Sequence, residues 1–170
     1  MLLDIANKLK DNAHIKFIIC GEGPYKNKLI LMAEQLSLTN VFFLPLQPTE
    51  KFNAFLNMAD VHLIIQKKGA GDVVMPSKLN SILAAGGLVL ATCEKDTALF
   101  DLITNNEIGL TAEPENNDAL KEKIVFALNN SEQLQSIKKY ARLYAEQHLS
   151  KEKVINKYYQ TAINPYPMNH

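Results

Sequence analysis

The sequence predicts an α/β domain of the doubly wound, Rossmann-like class, a parallel sheet with helices on both faces. Five short apolar runs recur along the chain, and a segment with apolar residues at helical spacing lies between successive runs. Strands that alternate with helices are joined by right-handed crossovers and are therefore parallel. The length of 170 residues suits one domain with a sizeable core.

The elements follow one another in a regular order. The predicted strands are the continuous apolar runs: IKFIIC (15–20), VFFLP (41–45), VHLII (61–65), LVLAT (88–92) and IGLTA (108–112). The predicted helices have apolar residues every three or four positions: 1–10, the segments after Pro24 and from Thr49, 77–85, 97–105, 117–129, 132–148 and 151–162. We treat residues 1–170 as a single domain, with 131–170 as its C-terminal helical segment.

Local residues predict how some of these helices begin and pack. Pro24 suits the first turn of the second helix, and Thr49 is a candidate cap for the third. In the third helix, helical spacing predicts four inward-facing side chains, which are Phe52, Phe55, Leu56 and Met58.

Composition narrows the function classes. Lysine plus arginine and aspartate plus glutamate both number 18, which does not favour nucleic acid as a partner. The N-terminus has no signal-peptide pattern, and no apolar run approaches the length of a membrane span. Cys20 and Cys93 lie in apolar runs, which favours buried, reduced thiols and a cytoplasmic protein. The four histidines lack metal-ligand spacing, and no metal is expected.

In this fold class, ligands bind at the carboxyl ends of the parallel strands. Residues 21–24, 46–48, 66–76 and 92–97 should therefore share one rim. The richest of these segments is GAGDVVMPSK (69–78). Its glycines allow close approach of the backbone to a ligand, and Pro76 is expected near the start of a helix. Free N–H groups around residues 77–79, together with Lys78, favour a diphosphate there. Asp72 would repel phosphate and suits sugar hydroxyls better.

Simpler interpretations remain open for the same residues. A glycine-rich turn is often only a loop, and a single lysine is usually a solvated surface charge. GEGPYKN (21–27) superficially resembles a dinucleotide fingerprint, but Asn27 occupies the place of the third glycine. Glu22 and Asp72 could be paired carboxylates, although the sequence does not fix their separation.

Several motifs, taken in order, resemble one family. FIICGEGPYKNKL, VFFLPLQPTEKFNAFLNMADVHLIIQ, MPSKLNSILAAGGLVLAT and the tail from LITNNEIGLTAEPEN to the tyrosine-rich KYYQ are similar to the C-terminal half of retaining GT-B glycosyltransferases of family 4. The run GAGDVVMPSKLNSILAAGG is most similar to the colanic-acid or exopolysaccharide branch. The resemblance covers essentially the whole chain.

The resemblance implies a donor-binding domain for a nucleotide-diphosphate sugar of UDP or GDP type, with no obligatory metal. It implies that Gly71, Asp72 and Val73 face the donor sugar and that Pro76, Ser77 and Lys78 lie beneath the phosphates. It also implies that Leu46 and Gln47 contact the nucleobase, with Gly21 and Gly23 on the adjacent rim. Asp72 and Lys78 are the expected catalytic groups.

Two departures from the family pattern affect these assignments. The family has two glutamates with seven residues between them, whose places fall on Val73 and Ser81, neither of them acidic. Asp72 is expected to replace the first, and Ser81 or Asn80 to bond the ribose more weakly. The resemblance also implies a preceding central strand, an arginine and lysine clamp and an acceptor-binding domain, none of which these residues contain.

The main hypothesis is therefore a glycosyltransferase donor domain of polysaccharide biosynthesis that is inactive alone. Its expected partners are a nucleotide-sugar, an acceptor domain or partner chain, and a second copy of the chain through an open sheet edge. Membrane contact through the missing domain is left open. The alternatives are a degenerate, non-catalytic interaction module and another nucleotide-sugar enzyme, such as an epimerase.

Overall fold

A computed structural model describes residues 1–69 and 75–163, and within them five parallel strands lie among helices. The strands are β1 (Phe17–Cys20), β2 (Val41–Leu44), β3 (His62–Ile65), β4 (Val89–Thr92) and β5 (Gly109–Ala112). The helices are α1 (Leu2–Lys8), α2 (Lys26–Gln35), α3 (Thr49–Met58), α4 (Ser77–Ala84), α5 (Ala98–Asn105), α6 (Asn117–Asn129), α7 (Gln135–His148) and α8 (Lys151–Tyr158), followed by a π-helical segment, Tyr159–Ile163. The predicted parallel α/β class is confirmed.

The strands of the described residues form two sheets rather than the single sheet expected. β1 pairs with β2, and the second sheet has the order β3-β4-β5. The strand order thus ends at β3 on one side of the larger sheet, and the family resemblance implies a further, central strand. One edge of β3 is therefore open within the described part of the chain.

Strand β4 is the centre of the larger sheet and is buried along its whole length. Its side chains alternate between two cores, as the two-residue repeat of a strand requires. Val89 and Ala91 pack with residues of α4, α5 and α7 on one face. Leu90 packs with residues of α1 and α6 on the other face. Helices therefore cover both faces of this sheet, as predicted.

Helix α1 connects the two sheets through side chains. Its Ile5 and Ala6 belong to the same core as Phe17 of β1 and Leu90 of β4. The buried Asn40, just before β2, donates a hydrogen bond from Nδ2 to the carbonyl of Ala6 at 2.9 Å. Packing against α1 thus replaces backbone pairing as the link between the sheets.

Helices α2 and α3 differ most from prediction. Pro24 lies before α2, whose N-cap is Tyr25. Pro48 is the N-cap of α3, so Thr49 opens the helix without capping it through its side chain. Phe52 is 43% and Met58 54% exposed, and α3 has no buried residue. The prediction of an inward apolar face on α3 was wrong for these two side chains, because no element among the described residues covers that face fully.

Both cysteines are free, as predicted. Cys93 is buried, and burial raises the pKa of its thiol to about 11. Cys20 is only partly buried and donates from Sγ to the carbonyl of Pro45 at 3.1 Å.

Gly109 sets the close approach of β5 to β4, which gives a test of the fold. A Cβ at Gly109 would lie 2.8 Å from the backbone oxygen of Val89, whereas a Cβ at Gly23 meets nothing within 4 Å. We expect Gly109→Ala to lower the free energy of unfolding by about 1–3 kcal/mol, since the contacted atom is backbone and cannot move aside cheaply. Gly23→Ala is the matched control. Urea denaturation measures both, and equal stability of the two variants would contradict this account.

Candidate functional site

The carboxyl ends of the strands carry the segments that the sequence places on one rim. Strand register aligns Cys20 with Leu44 and Ile65 with Thr92, so the residues that follow each pair leave their sheet at the same level. The rim consists of two groups of residues. One lies after β1 and β2, and the other after β3 and β4, beside the start of α4.

The first group is open and held by its own backbone. Gly21 has a φ of +129° and donates its amide to the carbonyl of Leu44 at 3.2 Å, which continues the β1–β2 pairing. Leu46 is 74% exposed, and Gln47 donates from Nε2 to the carbonyl of Pro45 at 2.9 Å. Gly23 has free space where a side chain would be. A planar base could rest on this surface.

Glu22 in the same group forms a salt bridge with Lys26, with 2.7 Å between Oε1 and Nζ. Its carboxylate thus has a cationic partner at the first residue of α2. The structure does not describe Asp72, so the hypothesis of paired carboxylates at Glu22 and Asp72 stays a prediction.

The second group includes the start of α4. Pro76 is the N-cap residue in an extended conformation, and Ser77 is the first helical residue, in accord with the predicted position of Pro76. The amide of Leu79 donates to the carbonyl of Pro76 at 3.0 Å, so it is not one of the free donors expected there. Among the residues that the structure describes, no side chain caps this end. The amides of Ser77 and Lys78 therefore keep the partial positive charge of a helix N-terminus.

Lys78 lies on the surface, and its ammonium group has a partner within the protein. Its Nζ donates to the carbonyl of Leu63 at 3.1 Å. The amide of His62 faces β4, because it donates to Leu88 at 2.8 Å. Backbone groups alternate sides along a parallel strand, so Leu63 faces the open edge of β3. Lys78 thus satisfies a carbonyl that has no strand partner, and burial lowers the pKa of its ammonium.

The remaining predicted site residues divide into two sets. Ser81 is partly buried in the middle of α4, where its carbonyl accepts from the amide of Ala85 at 3.1 Å. Gly71, Asp72 and Val73 lie outside the described residues, so their roles toward a sugar stay predictions.

Sequence reasoning placed residues 92–97 on the rim but assigned no role to Thr92 or Glu94. The Thr92 hydroxyl bonds both backbone groups of Gln66, at 2.9 Å each. Glu94 accepts the amide of Gly69 at 2.6 Å through Oε2. Their position could have identified them. A polar side chain at the carboxyl end of a buried strand can reach the residues that follow the neighbouring strand.

Other features of the described residues bear on the site. A small, mostly apolar cavity of about 170 Å³ lies between α1, β1 and α2, lined in part by Met1, Ile19 and Leu29, and does not include α4. Residues 1–69 and 75–163 contain no group of three or more histidine, cysteine or acidic side chains that could hold a metal ion. Within the same residues, no helix is both long and apolar enough to cross a bilayer.

Comparisons with known proteins agree with this architecture. Residues 1–144 match the family model of glycosyl transferases group 1. The chain is also 40% identical over 158 residues to the colanic acid biosynthesis glycosyl transferase WcaI of Escherichia coli K12. That alignment covers 92% of this chain but 38% of WcaI. The chain belongs to the family of glycosyl transferases group 1.

Solved structures show the same fold at low sequence identity. HepE from Anabaena, in complex with UDP, matches with a TM-score of 0.79 at 15% identity, covering 94% of this chain and 43% of HepE. TarM from S. aureus, in a mutant complex that includes UDP, matches with a TM-score of 0.75 at 24% identity, covering 92% of this chain and 31% of TarM. The expected GT-B half-domain is thereby confirmed as a fold.

His62, next to Leu63 on β3, gives a pH test of this region. Burial lowers the pKa of His62, and the charges of Lys138 and Lys78 act in the same direction against a backbone hydrogen bond to Leu56. His62 therefore binds a proton more readily in the unfolded state than in the folded state. We expect the free energy of unfolding to fall as pH drops from about 6.5 toward the folded-state pKa and then to level off.

The matched comparison is between His62→Gln and the exposed His14→Gln, with unfolding followed by urea from pH 8 to pH 5. His62→Gln should flatten the part of the profile below about pH 6.5, whereas His14→Gln should retain the slope of the unsubstituted chain. Parallel profiles for the two variants would show that His62 does not cause this pH dependence.

Proposed function

We propose that this chain is the donor-binding half of a glycosyltransferase of polysaccharide or exopolysaccharide biosynthesis. Its ligand is a nucleoside-diphosphate sugar of UDP or GDP type, and its site of action is the cytoplasm. The observation that carries the proposal is the start of α4 beside the carboxyl end of β3, where no described side chain caps the helix, in a chain of this family. The resemblance to WcaI supports the polysaccharide assignment.

The diphosphate is assigned to the N-terminus of α4. The amides of Ser77 and Lys78 offer donors with partial positive charge, which favours an anion. Desolvation lowers the pKa of Lys78, and in the described part of the chain its ammonium donates to the neutral carbonyl of Leu63. A phosphate oxygen would be a stronger acceptor for this ammonium than Leu63 is. In this proposal Lys78 exchanges the Leu63 carbonyl for the diphosphate and stabilises the charge of the leaving group.

The nucleoside and the sugar are assigned to opposite sides of the diphosphate. Leu46 and Gln47 form the surface for the base, with Gly21 and Gly23 leaving the rim open. Ser81 or Asn80 is proposed as a weak ribose contact. Gly71, Asp72 and Val73 are proposed to contact the sugar, and the Asp72 carboxylate is proposed to accept hydrogen bonds from its hydroxyls.

We further propose that these 170 residues bind a donor without transferring its sugar. The chain spans 38% of WcaI and 43% of HepE, lengths typical of one half of a two-domain enzyme. The rim carries exposed apolar side chains, among them Leu46, Ile65 and Met75, that an acceptor domain or partner chain would cover. The open edge of β3 is a second surface suited to association, with a partner or with another copy of the chain.

A nucleotide-binding measurement tests the diphosphate site. By calorimetry, UDP or GDP should bind more tightly than the corresponding monophosphate. Lys78→Ala should weaken diphosphate binding by about 1.5–3 kcal/mol, the size of a hydrogen bond to a charged group. Lys139→Ala on the exposed face of α7 is the control and should leave the affinity unchanged. If Lys78→Ala binds the diphosphate as tightly as the unsubstituted chain, the role proposed for Lys78 in diphosphate binding is wrong, and its contact with Leu63 remains.

A transfer assay tests the need for a second domain. Orientation of donor and acceptor can account for about 7–11 kcal/mol of barrier lowering, and an open site loses most of that contribution. With radiolabelled UDP-glucose or GDP-mannose, the purified chain should produce no glycosylated acceptor, and addition of an acceptor domain should restore product. Turnover by the monomeric chain alone would contradict the proposal.

A further inference from the structure

The smaller sheet is joined to the rest of the domain mainly at one end of its strands. We propose that β1, α2 and β2, here called the β1–β2 unit (residues 17–47), open locally as one body. We further propose that a nucleoside diphosphate locks this unit onto the larger sheet by contacting both. The inference rests on the proposed function and gives the ligand a conformational role in addition.

Burial is low throughout this part of the chain. Between positions 16 and 60, the buried residues are Phe17, Ala33 and Asn40, whereas every residue of β4 is buried. Helix α3, which leads from β2 to β3, has no buried residue. Segments with few buried contacts open locally at a lower free-energy cost than global unfolding. The β1–β2 unit should therefore open more readily than the larger sheet.

Helix α1, to which the unit is attached, is itself fixed to the larger sheet. Its Ala6 shares a core with Leu90 of β4 and Leu120 of α6. Its Lys8 forms a salt bridge with Asp118 of α6, with 2.7 Å between Nζ and Oδ1. Opening of the unit is therefore a motion of β1, α2 and β2 relative to α1 and the larger sheet.

The attachment to α1 lies at the amino ends of β1 and β2. Phe17, the first residue of β1, is buried in the same core as Ala6. Asn40, just before β2, donates from Nδ2 to the carbonyl of Ala6 at 2.9 Å, and its own carbonyl accepts from the amide of Phe17 at 2.7 Å. Within the described residues, its buried Oδ1 has no hydrogen-bond partner, so this side chain is only partly satisfied. These few contacts form the pivot of the unit.

Toward the carboxyl ends of the strands, packing between the unit and α1 is incomplete. Ile19 lies on the same face of β1 as Phe17, because side chains alternate along a strand. It lines the apolar cavity of about 170 Å³ together with Leu29 and Met32 of α2 and Met1 at the start of α1. The cavity leaves the rim end of the unit without the close packing that holds Phe17.

The proposed ligand contacts lie on both sides of the pivot. Leu46 and Gln47, proposed for the base, follow β2 and belong to the unit. Ser77 and Lys78, proposed for the diphosphate, open α4, whose Leu79 is in the core of the larger sheet. A nucleoside diphosphate would hold both sides in one relative position, whereas a nucleoside or pyrophosphate alone would contact one side. By linkage, the closed position of the unit and the bound nucleotide stabilise each other.

Amide hydrogen exchange on the 170-residue chain measures the opening. In the ligand-free chain, the amides of β1 and β2 should exchange faster than those of β4. Saturating UDP or GDP should slow exchange in β1 and β2 by about ten-fold, a factor usual for coupled sites. The controls are the nucleoside alone, pyrophosphate alone, and the two added together without a covalent link. Each control should slow these amides far less than the nucleoside diphosphate does.

A variant of the pivot gives an independent measurement. Asn40→Ala removes the bond to Ala6, and Asn106→Ala is the matched control, because Asn106 donates from Nδ2 to the carbonyl of Leu102 in α5 at the same 2.9 Å. By calorimetry, Asn40→Ala should lose about five-fold in affinity for UDP, the effect of roughly one hydrogen bond, and keep its affinity for pyrophosphate. It should also accelerate exchange in β1 and β2. Asn106→Ala should change none of these quantities.

Equal exchange rates in β1, β2 and β4 of the ligand-free chain would overturn the proposal. Bound UDP that leaves exchange in β1 and β2 unchanged, or equal slowing by UDP and by one of its parts, would refute the lock and leave the nucleotide site standing. If the unsubstituted chain binds neither UDP nor GDP, the proposed function fails and the lock fails with it. If Asn40→Ala does not fold, the comparison of ligands on the unsubstituted chain decides the question.

Discussion

The burial of β4 is the constraint on which the rest of this structure depends. Val89, Leu90 and Ala91 are fully enclosed, and alternate side chains enter two different cores. Such a strand must have a neighbour on each side and a helix layer on each face, since any gap would leave either backbone groups or apolar surface unsatisfied. Strands β3 and β5 and helices α1, α4, α5, α6 and α7 meet this requirement. The positions of α4 and of the β4 exit, and hence of the candidate site, follow from it.

The smaller sheet is subject to a weaker constraint. β1 and β2 pair with each other, and side chains of α1 connect them to the larger sheet. Ile18 of β1 and Phe42 of β2 are opposite each other in the register, and their side chains are 40% and 45% exposed. The proposed base-binding surface therefore lies on a sheet joined to the diphosphate side through one helix and a shared core. Contacts to a nucleotide that spans both groups would add a further connection between the two sheets.

The ammonium group of Lys78 has a structural contact, and the proposed function gives it a second role in the site. An open strand edge needs hydrogen-bond partners, and the lysine supplies a donor to Leu63. The same ammonium lies on the first turn of α4, whose N-cap residue, Pro76, makes no side-chain capping bond. In the proposed site, an anion at this helix end would gain from both the helix N-terminus and the lysine. Glu94, only a short way along the same rim, is turned toward the amide of Gly69 instead of toward this site.

The sequence by itself determined the order and type of the elements, the parallel class and the rim at the carboxyl ends. Those features depend on local periodicity and on residues such as Pro76, whose fixed φ suits a helix start wherever the helix packs. It also indicated both free cysteines. Only the tertiary structure decided the division into two sheets, the exposure of Phe52 and Met58, the attachment of Lys78 to Leu63 and the bonds from Thr92 and Glu94 to residues 66–69. Each of these features depends on which segments pack together in the folded chain. A local pattern cannot encode which strand edge is open or which carbonyl a long side chain will reach.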